Sequence, residues 1–458
     1  MRLGDGTTTT AVVTTAPPRF TTRLWSRADA FAARLPLWPT LAVVSLVTLL
    51  AQIPAPHASA WHWFDDAGSL LLGDGPAGTA GGLHLYRDNP DFQFGPLSIA
   101  IAAPLTLLGT DLGSWVAMVV ASAAGLGALA LLLDAAEQLQ PGLRRHVPPS
   151  AVLAGGVITV VTWGDVAVRT AHIDDAIALV AIAAALRWCA QAVSGPPADN
   201  GHSAPGRGAA VTVALAIAVA AKPWAIMFAP LAFVPPIQPR WVRSRPVPGE
   251  AEDVMDGAEW ARLARVGIVG ALALLTWAPF ILAEPQTLDT AGYGIVNEPT
   301  SVLRALGIDD PTTPGWARPA QLIGGTALVG VLVAREQWPL ALLAGVAWRL
   351  FLDPAANRYY TIGLVLGALL VEVTTRRRPH RLGGLPWATL VAALILELTA
   401  IPGIPVLPAR TLRLITVAVA FAFVAWLARG SRPWRRPKAD ATVPWVTGRG
   451  PSATSAAS

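Results

Sequence analysis

Four short stretches of this chain place charged or hydrogen-bonding side chains against apolar sequence. The first is "WHWFDDAGSLLLGDG" (61–75), with Asp65 and Asp66 side by side. The second is "RTAHIDDAIAL" (169–179), which holds Arg169, His172, Asp174 and Asp175. Lys222 stands between two apolar runs and is followed by Pro223. The fourth is "DPAANRYY" (353–360), with Asn357, Arg358, Tyr359 and Tyr360. Carboxylates, a histidine and fixed cations suit transfer of a group from a phosphate leaving group to a hydroxyl. A carboxylate can take the acceptor's proton in the transition state. Cations can stabilise charge that develops on a departing phosphate oxygen. With an activated sugar as donor the transition state resembles an oxocarbenium ion, and one base suffices for an inverting displacement.

Each of these residues also has a plainer reading. Asp65 and Asp66 are either solvated acids that help keep a loop out of the membrane or a general base with its neighbour. Both cannot easily be ionised and buried together, so a functional pair implies one raised pKa. Asp174 and Asp175 precede an apolar run and so occupy a helix N-terminus, where the macrodipole favours carboxylates. His172 is either a structural hydrogen-bonder or an acid–base group. Lys222 either snorkels to an interface or meets a donor phosphate. Arg358 competes for that role, because a guanidinium recognises phosphate in a planar, bidentate manner. Tyr359 and Tyr360 divide between an interfacial belt and substrate contact. No second His or Cys stands at ligand spacing from His172, and an Asp-rich oxygen site would suit Mg²⁺ or Mn²⁺ rather than zinc. No metal is assigned.

The elements that must position these groups are membrane helices. The chain has 458 residues, of which 53% are hydrophobic and 14% charged, and its mean hydropathy is +0.50. A soluble domain carries about 25% charged residues. Apolar stretches close to the ~20 residues of a bilayer span recur along the sequence. The net charge of +5 is not read as nucleic-acid binding, because the arginines cluster in short loops between apolar runs. The single cysteine, Cys189, excludes a disulfide within the chain.

Positive-inside logic puts the N-terminal arm, Arg144–Arg145, the loop with Arg240, Arg243 and Arg245, the run Arg376–Arg378 with Arg381, and the tail Arg429–Lys438 in the cytoplasm. "LSIAIAAPLTLL" (97–108) is too short to cross and is read as an interfacial helix in a large first extracytoplasmic loop. The spans expected are 36–54, 113–134, 150–168, 175–194, 209–221, 223–236, 264–282, 319–334, 338–352, 359–374, 385–400 and 409–428, with the short 209–221 and 223–236 alternatively one broken helix, which would change the count. The fold class is thus an all-α polytopic bundle of about 12 helices with both termini cytoplasmic, as in a multi-pass plasma-membrane protein. Residues 1–35 are read as a disordered cytoplasmic arm, 36–428 as the transmembrane domain and 429–458 as a basic, disordered tail. This threading brings the four charged stretches, together with the loop 284–318, to the extracytoplasmic face. Ionisable residues at span ends are costly and call for a functional reason.

The layout resembles the GT-C superfamily of integral-membrane glycosyltransferases, which use polyprenyl-phosphate sugars. In that family an Asp in the first outer loop is the usual candidate base, and Asp65 and Asp66 occupy that slot. A Gly…Tyr…aromatic-x-Pro stretch follows in the family. Here it is Gly73 and then "LHLYRDNPDFQFGPL" (83–97), with Tyr86, and Phe94–Gly95 before Pro96. "RTAHIDDAIAL" is similar to the family's second acidic motif, Lys222–Pro223 to its "KP" turn, and "NRYY" to polar-aromatic motifs of actinobacterial mannosyl- and arabinosyltransferases. The resemblance covers most of 36–375. It implies Asp65, Asp66, Asp174 and Asp175 as catalytic acids, and Arg358, Lys222 and Arg169 at the donor phosphate. It also implies His172, Asn357, Tyr359, Tyr360 and Tyr86 at the substrate. No cofactor is expected beyond the lipid-linked donor. The partners implied are membrane lipids, that donor and a cell-envelope glycan or glycolipid acceptor. A transporter or lipid flippase is the alternative, and a structural subunit of an envelope assembly is a third reading.

Overall fold

The computed structural model describes residues 20–52, 58–73, 78–143, 147–194, 205–234, 251–355, 357–375, 385–398 and 405–429. Among them every regular element is helical, and the only β pairing is an isolated bridge between Val296 and Thr312. Six helices are long and apolar enough to cross a membrane, or seven if one bent pair counts as a span. This is the helix set of a multi-pass membrane protein. The basic clusters at 144–145, 240–245, 376–381 and 430–438 lie outside the described residues.

Part of the expected N-terminal arm is ordered. Helix α1 (Phe20–Ala32) lies within 1–35 and is set at 92° to α2 (Leu37–Gln52). Its Asp29 carboxylate accepts hydrogen bonds from both the amide and the hydroxyl of Ser150, in the first turn of α7 (Pro149–Gly164). Thr/Pro composition alone gave no hint of this anchor.

The segment after α2 holds α3 (Trp61–Leu72), α4 (Leu85–Asp88) and α5 (Pro96–Thr106). Gly73 closes α3 in the left-handed region at φ +87°, with its N–H on the Leu70 carbonyl. Asp88 clamps the connection. Its carboxylate accepts from Arg87 and from the Ala80 amide, and these bonds hold its pKa down at about 2. The 11-residue α5 matches the expected short helix at 97–108, with Pro96 opening it.

Helices α6 (Thr110–Leu139) and α8 (Ile173–Ser194) pack together extensively. The buried face of α6 runs Ala117, Ala121, Gly125, Ala128, Leu132, Ala135, a helical spacing of mostly small residues. Small residues there leave room for a neighbour's side chain: the Trp163 ring of α7 lies against Gly125 and its Nε1 donates to the Ala121 carbonyl at 2.9 Å. The remaining elements are α9 (Pro205–Ala221), α10 (Ala251–Ala283), α11 (Val302–Ala305), α12 (Ala317–Ala334), α13 (Ala341–Leu352), α14 (Ile362–Thr375), α15 (Trp387–Leu398) and α16 (Val406–Arg429). The expected span 223–236 is instead a 3₁₀ helix over Pro223–Phe233. At about 2.0 Å rise per residue it reaches further than an α-helix of the same length. Glu372, an acid inside the apolar α14, accepts from the amides of Ala388 and Thr389 and so satisfies the start of α15.

One contact joins the first loop to the site. The Gly95 amide and the Ser98 hydroxyl both donate to the Ala221 carbonyl, at 2.9 and 3.1 Å. A Cβ at Gly95 would lie 1.9 Å from the Ala220 carbonyl oxygen. Gly95→Ala should therefore push two backbones apart and cost at least about 1–3 kcal/mol. Thermal unfolding of the detergent-solubilised protein measures it, and an unchanged Tm contradicts the close approach.

Candidate functional site

Two helix breaks face one another. Helix α7 ends in a π-helical turn over Asp165–Thr170, followed by Ala171 in the left-handed region at φ 53°. A π-turn leaves carbonyls that the regular ladder would have used, and such turns concentrate at functional sites. Here the amides of Ala58, Ser59 and Ala60 donate to the carbonyls of Val168, Arg169 and Thr170. The strained Ala171 is buried and delivers His172 and the first turn of α8. The second break is Lys222, extended between α9 and the 3₁₀ helix, with Pro223 ending the regular bonding.

Charge is concentrated between these breaks. The Lys222 ammonium is hydrogen-bonded to Asp174 and lies 3.5 Å from Asp175. Asp174 and Asp175 are 0% and 2% exposed, so neither charge is met by water. His172 Nδ1 stands 3.2 Å from Asp174 Oδ1, and the Asp175 amide donates to that same oxygen. Trp224 Nε1 donates to Asp175 Oδ1 at 3.2 Å, and Arg349 Nη1 lies 3.5 Å from it. Arg349 also reaches Asp353, at 3.4 Å. Its guanidinium is held between the rings of Trp224 and Tyr360, 4.3 and 4.1 Å from their centroids. The planar guanidinium is suited to being stacked and paired at once, and a lysine could not replace it.

Above this cluster lies a cavity of about 610 Å³. His172, Lys222, Arg349, Asp353 and Tyr360 form its floor, and Leu274, Ile281 and Leu322 give it an apolar flank. The loop 284–316 covers one side. Asn297 pins that loop, with its side chain donating to the carbonyls of Ile308 and Asp310 and accepting from Ser301. The next residue, Glu298, donates its amide to the Pro354 carbonyl and lines the cavity.

The free charges are on the walls. Arg318 lines the cavity and donates to the Gln93 side-chain oxygen at 2.6 Å. Among the described residues no carboxylate lies within 4.0 Å of it, whereas Lys222 and Arg349 are both neutralised by buried acids. Asp91 and Glu298 also line the cavity. Glu298 lies in the field of the Arg413 guanidinium, and the Asp91 carboxylate accepts no side-chain hydrogen bond that the described residues show.

The sequence-predicted residues divide accordingly. Lys222, His172, Asn357, Tyr359 and Tyr360 line the cavity. The Tyr359 ring stacks on His172 at 3.8 Å, and Asn357 donates to the Tyr359 hydroxyl. Asp174 and Asp175 sit behind the floor and do not line it. Four others are not brought in. The Asp65 carboxylate accepts from the Thr110 hydroxyl at 2.7 Å, because its face of α3 turns to the start of α6. Asp66, one position on, is exposed and does not line the cavity. Arg169 points to Asp165 within its own π-turn, at 3.5 Å. Tyr86 is a core residue, stacked on Trp277 with its hydroxyl donating to the Phe94 carbonyl. The Arg358 side chain lies outside the described residues.

Sequence reasoning missed Arg349, Arg318, Asp91 and Gln93. Arg349 had a usable signal, since it is a lone cation inside the apolar run 338–352 and membrane-embedded charge is functional by default. The other three gave none beyond being polar. His172, Asp174 and Asp175 offer ligand atoms within 4.8 Å of one another, a spacing a metal ion could use. The Lys222 ammonium already contacts both carboxylates and provides there the positive charge that a divalent ion would bring.

Two tests follow. Lys222→Met should destabilise by about 3–5 kcal/mol, because it strands buried carboxylates. The double variant Lys222→Met/Asp174→Asn should lose clearly less than the sum of the single losses, and additive losses in unfolding experiments contradict the pairing. Although Asp66 is exposed at its surface, partial desolvation by its neighbours chiefly, opposed by His62 and helped by Asp65 and Asp91, raises its pKa above the ordinary 3.8. Its contribution to stability is present below the ordinary value and lost as pH rises through the raised one. Asp66→Asn should therefore unfold at a higher temperature than the parent at neutral pH, and the difference should vanish below the ordinary value. A difference independent of pH is the contrary result. No protein-family model, curated protein or solved structure matches this chain.

Proposed function

We propose that the protein is an inverting glycosyltransferase that moves a sugar from a polyprenyl-phosphate donor to a hydroxyl of a cell-envelope glycan or glycolipid. The observation that carries this reading is the wall chemistry of the cavity: a guanidinium, Arg318, hydrogen-bonded to a neutral glutamine with no carboxylate at contact distance, the carboxylates Asp91 and Glu298, and an apolar flank in a single space within a membrane helix bundle. The prenyl chain would lie along Leu274, Ile281 and Leu322. Its phosphate would sit at Arg318, with Lys222 and Arg349 behind.

In this reaction the acceptor oxygen attacks the anomeric carbon and the bond from that carbon to the phosphate oxygen breaks. The hydroxyl proton passes to a carboxylate. The departing polyprenyl phosphate keeps the electron pair, and Arg318 stabilises the charge. Asp91 is assigned as the base, since it lines the cavity two residues from Gln93, which holds Arg318. Asp66 acts on Asp91 only through its charge, and Asp65, turned to Thr110, takes no part. Asp174 and Asp175 hold Lys222, Arg349 and His172 in place and do not touch substrate. No metal is required by this scheme.

The topology that goes with it has about twelve crossings: the shorter apolar helices also cross, both termini are cytoplasmic and the cavity opens at the outer face of the plasma membrane. A transporter or flippase is the second reading. It is favoured by the two charged helix breaks that face one another, a feature of transport sites.

Purified protein supplied with polyprenyl-phosphate sugars and envelope glycolipids decides between them. Glycosyl transfer should release polyprenyl phosphate in step with product. Asp91→Asn should lower kcat by about 10²–10⁴, and Arg318→Ala should reduce donor use while both variants keep the parent's Tm. Uptake or flipping without release of polyprenyl phosphate establishes the transporter instead.

A further inference from the structure

The helix α1 has a face that nothing in the described structure covers. Leu24 and Phe31, seven residues apart on one side of the helix, are 56% and 64% exposed. Arg27 lies on the same side, between them in sequence, and Arg34 follows the helix; both are exposed. The opposite side docks on the bundle through Asp29, the sole acid of α1, which is hydrogen-bonded to Ser150. Positive charge is therefore left over on the open side.

The orientation of α1 says what meets this face. Helix α2 packs along α7, the start of the candidate span Pro149–Thr170, and α1 turns away from it by 92°. With α2 running across the membrane, α1 must lie in the membrane plane, at the level where α2 begins. Trp38, in the first turn of α2, is 40% exposed at that level, and tryptophan favours the membrane–water interface. A helix with exposed apolar residues beside arginines, parallel to the surface, is an interfacial helix.

We propose that α1 binds the surface of an anionic lipid leaflet, with Leu24 and Phe31 entering the headgroup–acyl boundary and Arg27 and Arg34 meeting lipid phosphates. The docked face then fixes the angle at which α2 and α7 enter the membrane. The binding is independent of what the cavity does.

The test uses full-length protein carrying Cys189→Ala, with a single fluorophore attached at Leu24→Cys, Phe31→Cys or Ser26→Cys. Ser26 lies on another side of the helix and is exposed. The protein is reconstituted into vesicles in which a nitroxide is carried on the acyl chain of either phosphatidylglycerol or phosphatidylcholine, at equal content. The labels at 24 and 31 should be quenched several-fold more than the label at 26. Phosphatidylglycerol should quench them more than phosphatidylcholine does, and Arg27→Gln/Arg34→Gln should abolish that difference. Equal quenching at 31 and 26 overturns the interfacial seating. Equal quenching by the two lipids overturns the preference for anionic headgroups. Circular dichroism and unfolding temperature confirm that each variant is folded.

Discussion

The buried contact between Lys222 and the Asp174–Asp175 pair is the constraint on which the site depends. Two carboxylates with almost no exposure cannot stay charged in a membrane bundle without cations at contact distance. Lys222 and Arg349 supply them, and each can do so only because a helix has been interrupted or ended nearby. The π-turn and left-handed Ala171 lower the start of α8 into place. Lys222 sits where α9 gives way to a 3₁₀ helix, and Arg349 is in the last turn of α13. Broken helices, backbone strain and buried charge are thus one feature seen three ways.

That arrangement determines what the cavity can offer a ligand. The two floor cations are already paired, so they provide a fixed positive background and not a vacant anion site. The wall residues are what remain. Arg318 is hydrogen-bonded to a neutral glutamine, and Asp91 and Glu298 line the space beside it. An apolar flank beside these groups matches a substrate with a lipid tail and a charged head. Gly95 links the two layers, since its contact with the end of α9 holds the loop of Asp91 and Gln93 against the break at Lys222.

Much of the architecture could be read from sequence. Apolar runs announced a helical membrane protein, and His172, Asp174, Asp175, Lys222, Asn357, Tyr359 and Tyr360, all legible as candidates, do meet around one cavity or beneath it. The failures have physical causes. Asp65 and Asp66 are adjacent in sequence and so point to different sides of α3, one to Thr110 and the other to an exposed position off the cavity lining. Tyr86 looked like a ligand, but its hydroxyl is used inside the loop. Arg318 and Gln93 are 225 positions apart, and no local pattern connects them. The helix α1 was hidden by its polar composition, and its packing on α7, with Asp29 meeting Ser150 across 121 residues, is a long-range contact that no local pattern shows.

The most direct test of the account is a cryo-electron microscopy structure of the protein with a non-transferable polyprenyl-phosphate sugar analogue bound. The phosphate should lie within hydrogen-bond distance of the Arg318 guanidinium, with the prenyl chain along Leu274 and Ile281 and the anomeric carbon turned towards Asp91. Density for the lipid phosphate away from Arg318, or a cavity whose floor lacks the Lys222–Asp174 contact, contradicts it.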